Sequence, residues 1–262
     1  MSHRSPIFRL VFGFLCLAAL AALPLSAQAP PASRLLSLTI VTIKPGMAQA
    51  YIDLQKAEAI PAMQKGGQTW RDSWRTAVFG DTFEFAHVTE IKSFDQFDTP
   101  SPLRKTLGEA GYTAYLAKIS PLITAQRTYA IRTRPDLSYV PDPAARPKMA
   151  ILTTVDVKTD KVMDFEAFIR GEWLAALKKG GGKHYTVSQV VYGGNTTEFM
   201  TLVGIDTFAD LGKGHPVTKA LGEEGLVKLM AKSGGFAQRV DRRVIRLDPD
   251  LSFEVKSTAQ TR

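Results

Sequence analysis

The sequence holds one cysteine, Cys16, and that residue sits inside an apolar N-terminal run from Leu10 to Leu23. Disulfides, thiolate catalysis and cysteine metal ligation are therefore excluded from the rest of the chain, whose stability has to come from packing. The apolar run is shorter than the ~20 residues a spanning helix needs. Gly-x-Ser-x-Gly, His-Glu-x-x-His and Gly-x-Gly-x-x-Gly are all missing, which removes the usual support for hydrolase, zinc-protease and dinucleotide readings. The histidines His87, His184 and His215 have no metal-ligand spacing, so no metal and no cofactor is implied. Lysine and arginine form no block: the net charge of +8 is spread along the chain, and no nucleic-acid partner is implied.

Arg4 and Arg9, the apolar run and then Pro24-Leu25-Ser26-Ala27 have the three regions of a signal peptide. Cleavage after Ala27 is expected, giving residues 1–27 as leader and 28–35 as an N-terminal tail. A periplasmic or secreted protein with no membrane contact after cleavage follows. At 45% hydrophobic and 22% charged, the composition is that of a soluble globular chain.

A repeat dominates what remains. Shifted by 114 positions, residues 36–139 align with 150–253 without a gap, and 29 of the 104 pairs are identical. The identities cluster: Lys65-Gly66-Gly67 with Lys179-Gly180-Gly181, Glu84-Phe85 with Glu198-Phe199, Leu107-Gly108-Glu109 with Leu221-Gly222-Glu223, and Pro135-Asp136-Leu137-Ser138 with Pro249-Asp250-Leu251-Ser252. Between the copies, residues 140–149 carry Pro141, Pro143 and Pro147 and read as a stiff linker, while 254–262 form a C-terminal tail.

Each copy predicts the same elements. β-branched runs at Leu36–Ile43 and Ala150–Val157 read as strands. A helix follows with apolar residues at helical spacing, ending at the Gly-Gly pair. A hairpin comes next, Thr69–Phe79 and Phe83–Ile91 in the first copy, turning at Gly80-Asp81 where positive φ is expected. A second helix opens at Pro102 or Pro216 and runs to about Ile123 or Lys232. Arg127–Thr133 and Asp241–Leu247 then complete βαββαβ.

This is a ferredoxin-like plan: two helices cover one face of a four-stranded antiparallel sheet, and the other face needs a partner. With the Phe94…Pro102-Leu103 and Phe208…Pro216-Val217 stretches, the duplicated order resembles the dimeric α+β barrel superfamily, in its antibiotic-biosynthesis-monooxygenase and NIPSNAP-like branches. The resemblance implies an α+β fold in which the two sheets pack as an intrachain barrel. One chain then suffices for the barrel, and homo-oligomerisation is left open. It also implies a cavity between helices and sheet or at the barrel centre.

Polar residues on otherwise apolar faces are the site candidates. Tyr51, Leu54 and Glu58 are spaced i, i+3, i+7, and Phe165, Phe168 and Glu172 repeat the spacing, placing a carboxylate on each buried stripe as a candidate base or structural ion pair. His87 alternates with Phe83 and Phe85, and its repeat mate is Thr201. Trp70, Asp72 and Trp74 share a face of the second strand, opposite Arg71 and Arg75, and could wall an aromatic ligand or fill a core. Their mates are His184, Thr186 and Ser188.

Catalytic candidates are thus His87 and Glu58, and ligand-binding candidates are Trp70, Asp72, Trp74, Glu172 and His184. The leading expectation is an exported small-molecule-binding or stress-response protein, without assigned chemistry, that takes a small hydrophobic or aromatic molecule. A cofactor-independent monooxygenase-like enzyme with His87 or Glu58 as base is the alternative, and a haem-binding barrel with His87 or His215 as axial ligand is another. The His87/Thr201 and Trp70/His184 differences place the expected site in the first half.

Overall fold

A computed structural model describes residues 32–142 and 146–255. The expected leader, residues 28–31 of the N-terminal tail, residues 143–145 of the linker and residues 256–262 of the C-terminal tail lie outside them. Among the described residues no helix is long and apolar enough to cross a membrane.

The first half runs β1 (Leu35–Ile43), α1 (Ala48–Leu54), a π-helical turn (Gln55–Ala59), α2 (Ile60–Lys65), β2 (Trp70–Val78), β3 (Glu84–Ile91), α3 (Pro102–Ile119) and β4 (Ile123–Thr133). The second half repeats it as β5 (Met149–Val157), α4 (Val162–Phe168), a π-helical turn (Ile169–Trp173), α5 (Leu174–Lys179), β6 (Tyr185–Tyr192), β7 (Glu198–Ile205), a short α6 (Ala209–Gly212), α7 (Pro216–Phe236) and β8 (Ala237–Leu247). A final strand, β9 (Phe253–Glu254), follows.

Within the halves the strands order β2-β3-β1-β4 and β6-β7-β5-β8, all antiparallel. β4 then pairs with β6, and β8 with β2, so the two sheets close into one eight-stranded barrel. Closure satisfies edge strands that an isolated half would leave open. The α+β prediction of an intrachain barrel is the observed architecture.

Strand parity sorts the side chains. On the inner face Leu36, Leu38 and Ile131 from the first half meet Val190 and Met200 from the second, with Trp70 packed beside them. The outer faces each carry a helix layer. Val41, Ile43, Phe85, Leu103 and Ile119 form one core, and Val155, Phe165, Phe199, Leu177 and Val217 form its counterpart. The tails cross over: Leu251, fully buried, fills the first half's core, and Leu137 fills the second's.

The repeated glycines have a packing reason. A Cβ on Gly66 would lie 2.1 Å from the Pro102 carbonyl oxygen, and one on Gly180 would lie 1.7 Å from that of Pro216. Only a residue without a side chain lets the second helix start against the end of the first. Two expectations need correcting. Positive φ in the first hairpin falls on Phe79 (φ 57), the mate of Gly193 (φ 87), and not on Gly80. β4 starts at Ile123 because Pro121 cannot extend the preceding helix, so the helical reading to Ile123 was too long.

Candidate functional site

The two helix–sheet interiors differ in chemistry although they share a backbone plan. In the first half, β2 turns Arg71 and Ser73 toward the helices, β3 turns His87, and α1, its π-helical turn and α3 supply Tyr51, Gln55 and Tyr115. Their mates in the second half are Tyr185, Val187, Thr201, Phe165, Ile169 and Leu229, a largely apolar set.

The first-half groups form a connected buried network. Tyr51 Oη is 2.7 Å from His87 Nε2, and Ser73 Oγ is 2.8 Å from His87 Nδ1 and 2.8 Å from the Leu251 carbonyl. One assignment satisfies every group: Tyr51 donates to Nε2, Nδ1–H donates to Ser73, and Ser73 donates to Leu251. The imidazole is then neutral, as expected where burial, and secondarily the Arg71 charge, hold its pKa well below the ordinary value. Burial likewise drives the Tyr51 phenol upward.

Arg71, only 2% exposed, donates from Nε to the Leu251 carbonyl at 2.9 Å and from Nη1 to Gln55 Oε1 at 3.0 Å. Gln55 in turn donates to Tyr115 Oη at 2.8 Å, while Arg71 Nη2 is buried without a partner. Burial lowers the arginine pKa, with the tyrosines opposing.

The predicted constellation does not assemble. His87 pairs across the strands with Ser73, whereas Trp74 pairs with Ala86, so His87 and Trp74 lie on opposite faces of the sheet. A substrate walled by Trp70 and Trp74 is therefore out of reach of His87. Trp70 packs in the barrel interior with Arg34 over its ring at 5.2 Å. Asp72 pairs with Arg146 at 3.2 Å, its pKa raised by burial with Arg146 opposing.

Glu58 also misses the core. The i, i+3, i+7 stripe assumed 3.6 residues per turn throughout, but the π-helical turn, bonded i→i+5, takes in about one more residue before it closes, and the buried positions become Tyr51, Gln55, Ala59 and Ala62. Glu58 instead pairs with Lys118 at 2.7 Å with a third of its side chain exposed. Glu172 pairs equivalently with Lys232 on the outside of the second half.

The second half holds an open pocket of about 270 Å³ between α7, the segment following β7 and the outer face of the sheet. Ile151, Val203 and Leu211 supply apolar walls, and His215, Lys219 and Arg242 supply polar ones. His215 Nδ1 accepts from the Val217 amide at 3.2 Å, which leaves the proton on Nε2. Burial first, and Arg242 second, hold its pKa down to about 4. Its ring packs 5.5 Å from that of Trp173, whose indole N–H is buried without a partner.

His184 does not line this pocket: a Cβ on Gly204 would meet its Cβ at 3.0 Å on the strand face turned away from Val203, and its Nδ1 is buried and unpartnered. The sequence reading singled out His87 and His215 but neither the six-residue polar core around the first nor the pocket around the second. The available signal was the repeat itself, read column by column for changes of polarity.

A haem does not fit these residues. Both His87 nitrogens are engaged, and the pocket at His215 falls below the ~300–1,000 Å³ typical of drug-sized ligand sites. Among the described residues no group of three or more potential metal ligands converges.

No family model matches the sequence, and no curated protein matches it. Solved structures do. A candidate monooxygenase from Lactobacillus acidophilus NCFM is 11% identical, with 86% of this chain and 100% of that one covered at a TM-score of 0.52. An anthrone oxidase-like protein is 10% identical, with 86% and 94% covered at 0.57. The fold is that of the dimeric α+β barrel superfamily. A NIPSNAP family protein with unknown function from Agrobacterium tumefaciens is 17% identical and covers 37% of this chain and 85% of its own, at a TM-score of 0.32. At these identities the likeness speaks to fold alone.

Proposed function

We propose that the protein is an exported small-molecule-binding α+β barrel whose ligand occupies the second-half pocket. The observation that carries this reading is the contrast between the halves. The second-half pocket of about 270 Å³ sets the apolar walls of Ile151, Val203 and Leu211 against His215, Lys219 and Arg242, whereas the depression of about 630 Å³ in the first half, between Ser33–Leu35 and Glu90–Phe94, is more open and the rest of that half's helix–sheet interior is filled by the hydrogen-bonded polar core. A concave site with apolar walls and a few convergent polar groups is the usual form of a small-ligand site. The site thus moves from the first half, where sequence differences had put it, to the second.

The proposal assigns no chemistry, since His87 has both ring nitrogens occupied and Glu58 faces outward. Export rests on the leader-like sequence of residues 1–27. One chain suffices for the barrel, and the proposal leaves homo-oligomerisation open.

The test is a thermal-shift screen of small aromatic compounds on the wild type and on Leu211→Trp, which fills the pocket from a half-buried lining position. Hits that stabilise the wild type and lose their effect in Leu211→Trp support the assignment. Hits unaffected by the substitution would move the site elsewhere.

A further inference from the structure

Resting on the pocket reading above, we infer that the ligand is a small organic anion, an apolar body carrying a carboxylate, held by Arg242 and Lys219 with His215 as a neutral donor. The pocket's charges do not cancel. Asp210 is consumed locally: it accepts from the Asp206 and Thr207 amides and from Lys213 at 2.8 Å. Lys183 pairs with Asp206 at 3.5 Å. Lys219 and Arg242 have no carboxylate partner among the described residues, so two positive charges line the cavity uncompensated. Arg242 is oriented through Nε, which donates to Thr153 Oγ1 at 3.2 Å, leaving its terminal nitrogens available.

The repeat shows that the fold does not require Arg242 or His215. At the positions of Lys183, His215 and Arg242 the first copy has Thr69, Ser101 and Thr128, and it builds the same elements, whereas Lys219 is matched by Lys105. The second copy therefore adds the Arg242 guanidinium and the His215 imidazole to its cavity beyond what the shared plan needs. Ile151, Val203 and Leu211 opposite them fit an apolar body and not a small inorganic ion.

The probes are 2-naphthoate and its neutral isostere 2-naphthamide, titrated calorimetrically into wild type, Arg242→Gln, Lys219→Gln and Leu211→Trp. Arg242 and Lys219 are exposed, so their variants keep the fold. Naphthoate should bind at least about tenfold more tightly than naphthamide, as expected for a charge-assisted contact. Arg242→Gln should abolish most of that preference, and affinity for naphthoate alone should weaken with added salt. Equal binding of the two probes, with Arg242→Gln and Lys219→Gln silent and Leu211→Trp blocking both, would overturn the anion assignment and leave the pocket standing. Binding of neither probe, or binding unaffected by Leu211→Trp, would overturn the pocket with it.

Discussion

Tyr51 and His87 hydrogen-bond at 2.7 Å where their repeat mates, Phe165 and Thr201, make no such pair. The second half is therefore a natural record of how this core packs without the contact. Removing one partner leaves a buried polar atom unpaired, which costs about 1–3 kcal/mol, whereas removing both is far cheaper. Tyr51→Phe should destabilise the chain in urea unfolding, and Tyr51→Phe with His87→Thr should cost clearly less than the two single changes added together. Additive single costs would show that the pair is not coupled.

Acid should weaken the fold through its three depressed histidines, His87, His184 and His215. His215 is held down to about 4, and His87 well below its ordinary value. Between the ordinary 6.5 and those folded values the unfolded chain binds protons that the folded chain refuses. Stability therefore falls as pH drops through 6.5, and the His215 part of that fall is complete near 4. Replacing His215 by serine, its mate's residue, should flatten the stability-versus-pH curve over that window. An unchanged slope would contradict the shift. NMR titration of Arg242→Gln should also find the His215 pKa raised toward the ordinary value.

The barrel was legible in the sequence because its evidence is repeated: two copies of the same period changes, Gly-Gly stops and helix-opening prolines. Gly66/Gly180 and Pro102/Pro216 stood out as identities, and the structure explains them as one tight contact made twice. The site was less legible. Glu58 looked buried only while α1 and α2 were counted as one regular helix, and nothing in Gln55–Ala59 announces a π-helical turn. Arg71 was set aside on the face opposite Trp70, and an arginine without a carboxylate partner is a poor core candidate from sequence alone. Its acceptors, the Leu251 carbonyl and Gln55, come together only after folding.

Phe79 is a strained position that can be relieved. It holds φ 57 with its side chain 72% exposed, and its mate Gly193 holds φ 87 without a Cβ. The left-handed region costs a non-glycine residue roughly 1–2 kcal/mol, and an exposed phenyl returns little. Phe79→Gly should raise the urea midpoint by an amount corresponding to about 0.5–1 kcal/mol, because the added backbone entropy of glycine offsets part of the relief. A lowered midpoint would mean that the ring contributes packing that its exposure does not suggest.

Leu251 links the two halves through both its side chain and its carbonyl. The side chain is fully buried in the first half's core, although the residue follows β8 in the second copy. Its carbonyl accepts from Ser73 and Arg71 and so anchors both arms of the polar network. β9 immediately after it pairs with β2 at Trp70 and Arg71. Leu251→Ala leaves the carbonyl in place and removes only the side chain, so it should cost about 2–5 kcal/mol as a large-to-small core change. The informative readout is where the loss falls. Hydrogen exchange should accelerate at β2 and β3, in the half that Leu251 packs against, more than at β5 and β7 in its own copy. Leu137→Ala should give the mirror result, since Leu137 fills the second half's core. If each substitution loosened only its own copy, the tails would not be crossing, and the fused barrel would be held together by its strand pairings alone.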